Sequence, residues 1–526
     1  MYKRYFLLIA ALFIFILNVK TEVAIDQENT IFNEEDHFFL HTIERGQTVY
    51  SISLMYGVST EEIYRLNPDS RNVIHIGDVL KIPQESGSYI YHTIQPKETL
   101  YGLSQKYHMK GEDIIGANPG LSIETFVIGK IIRIPTNLVT TPIQGGNEAA
   151  NISSTNSLLY QISPLKEVNI IKIALLLPFG LKDNAVQKTL QNRMVEYYEG
   201  FLLALAEMKK EGISVNLQVY DIGLDTKEIS NILKKSEMKD IHLLIGGLTD
   251  DQVKMLSRYA KEKNLPYVIP ISKTTEPFTN PNVFQVNTPQ SNLYSNAIQA
   301  FCNRYGKENI IMVSTEPGPA NQKDFVNLLK QDLQDRRIPY RSVSLGDNFF
   351  NEMKLMLSNY QMNVVVPSDD SAETLSKMVT PLKTLVENQS DLSLALFGYP
   401  EWQVYSSKYS EDFFRINTTF FTLFYSDPTS QEVKTFYSTF YKWYNRVLEN
   451  TFPKYGMLGY DTGMYFIRLI NRYGSRFDSN INDLRYTGVQ TDFHFERVNN
   501  WGGFINTNMY LINYNSNYSI TKNLFK

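Results

Sequence analysis

The chain holds a single cysteine, Cys302, in 526 residues, so no disulfide can form within it. That scarcity fits an oxidising bacterial periplasm or cell surface better than a secreted eukaryotic protein, which would ordinarily be braced by disulfides. Signatures of hydrolytic and nucleotide chemistry are missing as well: no H-E-x-x-H, G-x-S-x-G, P-loop or G-x-G-x-x-G occurs. A cysteine peptidase pairs a reactive thiolate with a histidine. Cys302 lies in NAIQAFCNRYG, on a helix ahead of a strand, and reads as a buried, inert thiol. Glycosidases work through paired carboxylates, and no pair announces itself here. The Asp369-Asp370 step reads as a solvated loop. Net charge is −4 with no basic stripe, which excludes nucleic acid as an expected partner. Nothing in the pattern asks for a cofactor or a metal, and the chain is expected not to be an enzyme.

Long apolar runs are also scarce. The one that stands out is N-terminal, where Lys3 and Arg4 precede the apolar residues 6–19. It is shorter than the roughly 20 residues a membrane-spanning helix needs, and it reads as a secretory signal over residues 1–21. No cysteine follows it, which points to export without a lipid anchor. Hydrophobic residues make up 43% of the chain and charged ones 20%, ordinary for globular protein.

What is present is a repeat. HTIERGQTVYSISLMYGVSTEEIYRLNP begins at His41, and HTIQPKETLYGLSQKYHMKGEDIIGANP begins at His92, an offset of 51 residues. IGDVLKIP from Ile76 then matches IGKIIRIP from Ile128, offset by 52. Each copy parses as strand, helix, helix, strand. Thr48 and Thr99 are placed as N-caps, since a threonine oxygen accepts from the free amides of a first turn. Ser59 and Glu62 have capping-box spacing. Asn67-Pro68 and Asn118-Pro119 end the second helix, because proline cannot continue it. His41 and His92 occupy one repeat position at a strand start and read as structural. Two copies are too few for a solenoid, so two small modules are expected, at residues 38–84 and 89–136.

These marks in this order, HT-I, T-[VL]-Y, NP and IG-x-x-[LI]-x-IP, resemble the LysM family over the whole of both copies. The resemblance implies binding of N-acetylglucosamine-containing polymers, peptidoglycan or chitin, in a shallow trough between the first turn and the loop after the second helix. Carried across, the candidate glycan-binding residues are Gln47, Thr48, Val49, Tyr50, Asn67, Pro68 and Ile74. In the second copy they are Glu98, Thr99, Leu100, Tyr101, Asn118 and Pro119. The family's turn Gly-Asp is Gly46-Gln47 in one copy and Lys97-Glu98 in the other, which points to weaker binding at the second. Two weak sites on one polymer would gain avidity through effective concentration.

Residues 137–167 turn polar and read as a flexible linker. Beyond them strands and helices alternate, from the apolar run 170–180 through 215–221, 241–247 and 265–272. The pattern restarts at 309–314, 340–345, 363–368 and 392–398, so two α/β lobes are expected, each a doubly wound parallel sheet. The fold class is therefore α+β for the two β-α-α-β modules plus α/β for the rest.

Four segments, 196–221, 245–272, 459–461 and 488–504, resemble type 1 periplasmic binding proteins of the branched-chain amino-acid receptor kind. The resemblance implies two lobes joined by three crossovers over residues 168–526. Lobe one is expected at 168–287 and 425–485, lobe two at 288–424 and 486–526. A ligand in such folds sits at the carboxyl ends of the strands. Here those ends offer Thr249, Asp250, Ser272, Thr274 and Tyr399. Gln285 and Gln290 stand where the amino-acid receptors have an Arg and an Asp, and Lys273 replaces a small residue, which argues against free amino-acid capture. Related activators of penicillin-binding proteins turn the same fold toward a protein partner.

The expectation is a non-enzymatic cell-envelope protein of the periplasm or cell surface. It binds peptidoglycan through its modules and a small ligand or envelope protein through its lobes. The alternatives are a solute receptor delivering amino-acid-like ligands to an ABC-type transporter, and a cell-wall hydrolase.

Overall fold

The computed structural model describes residues 38–44, 47–71, 74, 77–84, 87–136, 148–160, 168–180, 187–315, 324–389 and 391–525. The expected signal, residues 1–21, lies outside them, as do 137–147 and 161–167 of the expected linker.

The first module runs β1 (Phe38–Thr42), α1 (Val49–Tyr56), α2 (Thr60–Leu66) and β2 (Val79–Pro83). The second runs β3 (Tyr89–Thr93), α3 (Leu100–Lys106), α4 (Gly111–Ala117) and β4 (Ile131–Pro135). In each, a two-stranded sheet closes over the helices. Caps define where the helices begin. The Thr48 hydroxyl accepts from the Ser51 amide at 3.0 Å, and the Ser51 hydroxyl accepts from the Thr48 amide at 2.9 Å. Ser59 and Glu62 exchange the same pair of bonds, and Thr99 accepts from the Gly102 amide. Each helix pair ends on a staple. The Asn67 amide group donates to the Ile63 and Lys81 carbonyls, both at 2.8 Å, and its oxygen accepts from the Lys81 amide. Asn118 does the same for Ile114 and Arg133. The asparagine thus sews the end of the second helix to the closing strand.

The stretch expected as a flexible linker departs from that reading. Residues 148–157 form a helix, α5 (Glu148–Ser157), followed by a 3-10 turn, Leu158–Tyr160. The physical reason is the apolar end of the segment: Leu159 is buried in the core of the second module beside Leu100, Leu121 and Ile134, with Leu158 packed against it. A polar helix too short to persist alone is held there by its apolar end.

The remaining strands build two seven-stranded sheets. The first has the order β15-β16-β9-β8-β7-β5-β6, with β5 (Ile171–Leu177), β6 (Val215–Asp221), β7 (Leu243–Gly246), β8 (Tyr267–Ile269), β9 (Val283–Gln285), β15 (Phe495–Arg497) and β16 (Phe504–Asn506). The second has the order β11-β10-β12-β13-β14-β17-β18. Its strands are β10 (Asn309–Ser314), β11 (Tyr340–Ser344), β12 (Asn363–Pro367), β13 (Leu394–Gly398), β14 (Thr418–Thr422), β17 (Met509–Tyr514) and β18 (Ile520–Phe525). β5 to β9 and β10 to β14 are parallel, as continuous apolar runs require. The α/β class expected of this region is the class observed.

One assignment differs. The hairpin β15–β16 was expected in lobe two but belongs to lobe one, where β16 pairs parallel with β9. Its aromatic residues decide this. Phe504 stacks on Phe284 at 4.8 Å, and Phe495 packs with Tyr465 and Phe466 on the lobe-one helix. The last crossing therefore falls at residues 507–508, between β16 and β17.

Helices Lys188–Lys210 and Tyr455–Tyr473 cross on lobe one at glycines. A Cβ on Gly200 would stand 1.7 Å from the Gly456 carbonyl oxygen, and one on Gly459 would stand 1.9 Å from that of Tyr197. The module pair rests on the same lobe. Trp501, in the β15–β16 turn, is 2% exposed and shares a core with Phe39, Tyr56 and Ile131. The Arg133 guanidinium lies 4.4 Å above its ring. The flanking Asn500 accepts from the Gly120 amide at 2.7 Å through its carbonyl and donates its side-chain amide to the Ile131 carbonyl at 3.0 Å.

Candidate functional site: the two troughs

The trough that the LysM resemblance implies would lie, in each module, between the turn that opens the first helix and the loop that follows the second. The turn is braced identically in both copies. In module one the His41 Nε2 is 2.7 Å from the Gln47 side-chain oxygen, which also accepts from the Glu44 amide, and His41 Nδ1 meets the Tyr56 hydroxyl at 2.8 Å. In module two, His92 Nε2 is 2.6 Å from the Glu98 carboxylate, which accepts from the Gln95 amide, and Nδ1 meets the Tyr107 hydroxyl at 2.9 Å. Burial lowers the pKa of both imidazoles. Burial alone would raise Glu98, but the Gln95 amide and His92 outweigh it and hold the carboxyl below its usual range.

Most of the candidate side chains are committed within their own module. Gln47 spends its side-chain oxygen inside the turn, and Glu98 spends one oxygen there and pairs the other with Lys106 at 3.3 Å. Thr48 and Thr99 spend theirs on caps, and Val49 and Leu100 are core residues. Asn67 and Asn118 are committed to the staple. In module one Tyr50 remains open at 62% exposed, with Pro68 exposed and Ile74 half-buried. In module two Pro119 is exposed and Tyr101 half-buried. A trough formed there would present backbone edges beside an aromatic and an aliphatic surface. That suits an N-acetyl sugar, which brings one amide, one methyl and a ring face.

The five cleft candidates are not brought together around one cavity. Thr249 caps the helix Asp250–Lys263, whose first residue is the exposed Asp250. Ser272 donates to the Leu248 carbonyl, Thr274 accepts from the Glu276 amide, and buried Tyr399 donates to the Pro367 carbonyl. The cavity between the lobes has other walls, among them Lys273, Asn287, Thr288, Gln290, Glu401 and Phe424, and measures about 130 Å³. Small-molecule sites usually measure roughly 300–1,000 Å³. A 2.5 Å bond from Gln290 to Glu401 spans it. The Thr288 hydroxyl and the second Glu401 oxygen are buried without a partner.

Other groups resolve into structure. Burial pushes the Cys302 thiol up to about 12, and its sulfur points to Asp332 at 3.3 Å. Asp369, expected in a solvated loop, is buried and accepts from Thr315, Ser371 and Thr374. Among the described residues no cluster of three or more His, Cys, Asp or Glu could hold a metal, and no helix is long and apolar enough to cross a membrane. Sequence reasoning missed the Tyr56 and Tyr107 braces and Trp501. The braces had a signal, since both tyrosines recur at the repeat offset. Trp501 had none.

The LysM domain family matches residues 41–83 and 92–135, so the chain carries two LysM domains. Among curated proteins it is similar to one named as a sporulation-specific glycosylase of Bacillus subtilis, YdhD, with 34% identity over 99 residues. That match covers 19% of this chain and 22% of that protein. It is also similar to one named as an autolysin of Staphylococcus aureus, SsaALP, with 25% identity over 131 residues, 22% of this chain and 48% of that protein. The chain thus spans less than half the length of these relatives. Among solved structures it is similar to an ABC transporter substrate-binding protein of Desulfitobacterium hafniense in complex with Leu, at 13% identity and a TM-score of 0.42. A branched-chain amino acid ABC transporter protein of Rhodospirillum rubrum gives 14% and 0.47. Each covers 67% of this chain and 100% of its own.

Proposed function

We propose that this chain is a non-enzymatic protein outside the cytoplasm that grips N-acetylglucosamine-containing glycan of peptidoglycan through its LysM modules. The lobes take a second partner. The observation that carries the reading is the first module's trough: a matched LysM domain whose opening turn is braced from beneath and whose Tyr50 faces solvent. A sugar ring stacked on Tyr50, with its N-acetyl group bonded to backbone edges, would be held without any committed side chain. Calorimetric titration of the full chain with chitotetraose tests this. Binding that weakens at least tenfold in Tyr50→Ala is expected, about 1.4 kcal/mol. Equal affinity in the variant would reject it.

A small polar ligand at the lobes is a second reading, favoured by the unpartnered Thr288 hydroxyl and Glu401 oxygen at the interlobe cavity. A thermal-shift screen with amino acids and dipeptides addresses it, because a ligand that prefers the native state raises the melting temperature. The names of the curated relatives raise wall cleavage. Incubation of the pure chain with peptidoglycan is expected to release no muropeptides.

A further inference from the structure

We infer that the segment Glu148–Tyr160 occupies the trough of the second module as a ligand supplied by the chain itself, so that only the first trough is open to glycan. This inference rests on the glycan-binding reading above. Both rims of the second trough are bonded to this one segment. On the turn side, the Tyr101 amide, one of the free N–H groups of the first turn of α3, donates to the Asn156 side-chain oxygen at 3.1 Å. On the loop side, the Ile123 amide donates to the Leu159 carbonyl at 3.2 Å. Between these two bonds Leu158 and Leu159 fill the apolar floor against Leu100 and Leu121. An amide oxygen, a backbone carbonyl and aliphatic carbon are the groups with which an N-acetyl sugar would meet the same surface.

The second module's own sequence fits this occupant. Thr155 and Leu158 lie over Gly111, where a Cβ would stand 2.6 Å from the Thr155 methyl and 3.1 Å from a Leu158 methyl. At the repeat offset of 51 the first module has Thr60, so the module fold itself accepts a threonine there. The glycine is needed only where the segment covers the helix start. Tyr50, the counterpart of Tyr101, is 62% exposed, whereas Tyr101 is half-buried. Wall binding by the docked chain is then monovalent. The second site, and the avidity of a tethered pair, become available when the segment lifts.

Two measurements on the full chain test this. Site-resolved hydrogen exchange should find the Tyr101 and Ile123 amides slow in the wild type and fast in Gly111→Thr, which installs the first module's residue. Chitotetraose should bind with one equivalent to the wild type and two to Gly111→Thr. The double variant Asn156→Ala/Leu159→Ala leaves the module's sequence untouched and should also give two, which covers the case in which Gly111→Thr does not fold. Two equivalents on the wild type, or fast exchange at both amides, would overturn the inference while leaving glycan binding intact. One equivalent on a variant whose amides have become fast would overturn it too. No binding by any variant would remove the glycan reading and this inference with it.

Discussion

Replacing Trp501 by alanine should release the module pair from lobe one. The indole is 2% exposed, with Tyr56 and Tyr91 at 5.9 and 5.5 Å and the Arg133 guanidinium over its face. A buried tryptophan removes on the order of 200 Å² from water. At about 25 cal/mol per Å² that is worth about 5 kcal/mol. Its indole nitrogen is buried without a partner, which offsets about 1–3 kcal/mol. The remainder, about 3 kcal/mol, agrees with the roughly 3–5 kcal/mol of tryptophan truncations in cores. A loss of that size shifts the docking equilibrium about 150-fold. The reporter is the Gly120 amide, bonded to the Asn500 carbonyl across the junction. Its hydrogen exchange should accelerate in Trp501→Ala, and calorimetry should show the modules melting apart from the lobes. Unchanged Gly120 protection with a single shared transition would refute the assignment of docking to this side chain.

Asn118→Ala should cost about 3 kcal/mol of module stability, three bonds at roughly 1 kcal/mol each. Asn67→Ala should cost less because water reaches the more exposed first staple, and chemical denaturation of both variants checks the order. Gly459→Ala should destabilise lobe one by about 3 kcal/mol or more, since its Cβ would meet backbone that no rotamer change can relieve; an unaltered urea midpoint would contradict the crossing geometry. Acidification from pH 7.5 to 5 should lower the melting temperature of the modules. His41 and His92 have lowered pKa values when folded, so below about 6.5 the unfolded state binds more protons and stability falls with pH. The depressed Glu98 carboxyl extends the loss to lower pH. A flat profile over that window would reject the buried neutral imidazoles.

The parts of the fold that were legible are those written locally. The repeat, the threonine caps and the Ser59–Glu62 box lie within a few residues of what they bond. The roles of Asn67 and Asn118 were not legible, because the strand each one holds returns 14 or 15 residues later. Their place at the Asn-Pro bend made them look like sugar ligands. Polar composition over 137–157 suggests a linker and hides Leu158-Leu159, the apolar pair that docks the segment. The hairpin's allegiance to lobe one depends on Phe504 meeting Phe284, more than two hundred residues away, and no local pattern encodes that.

The turn that seats the modules closes the last hairpin of lobe one, and from it the chain passes directly through residues 507–508 into β17 of lobe two. Force applied through the modules would therefore enter lobe one beside its last crossing to lobe two. Any displacement of one lobe against the other would load that same two-residue crossing, so a pull on the modules and a shift of the lobes would meet there.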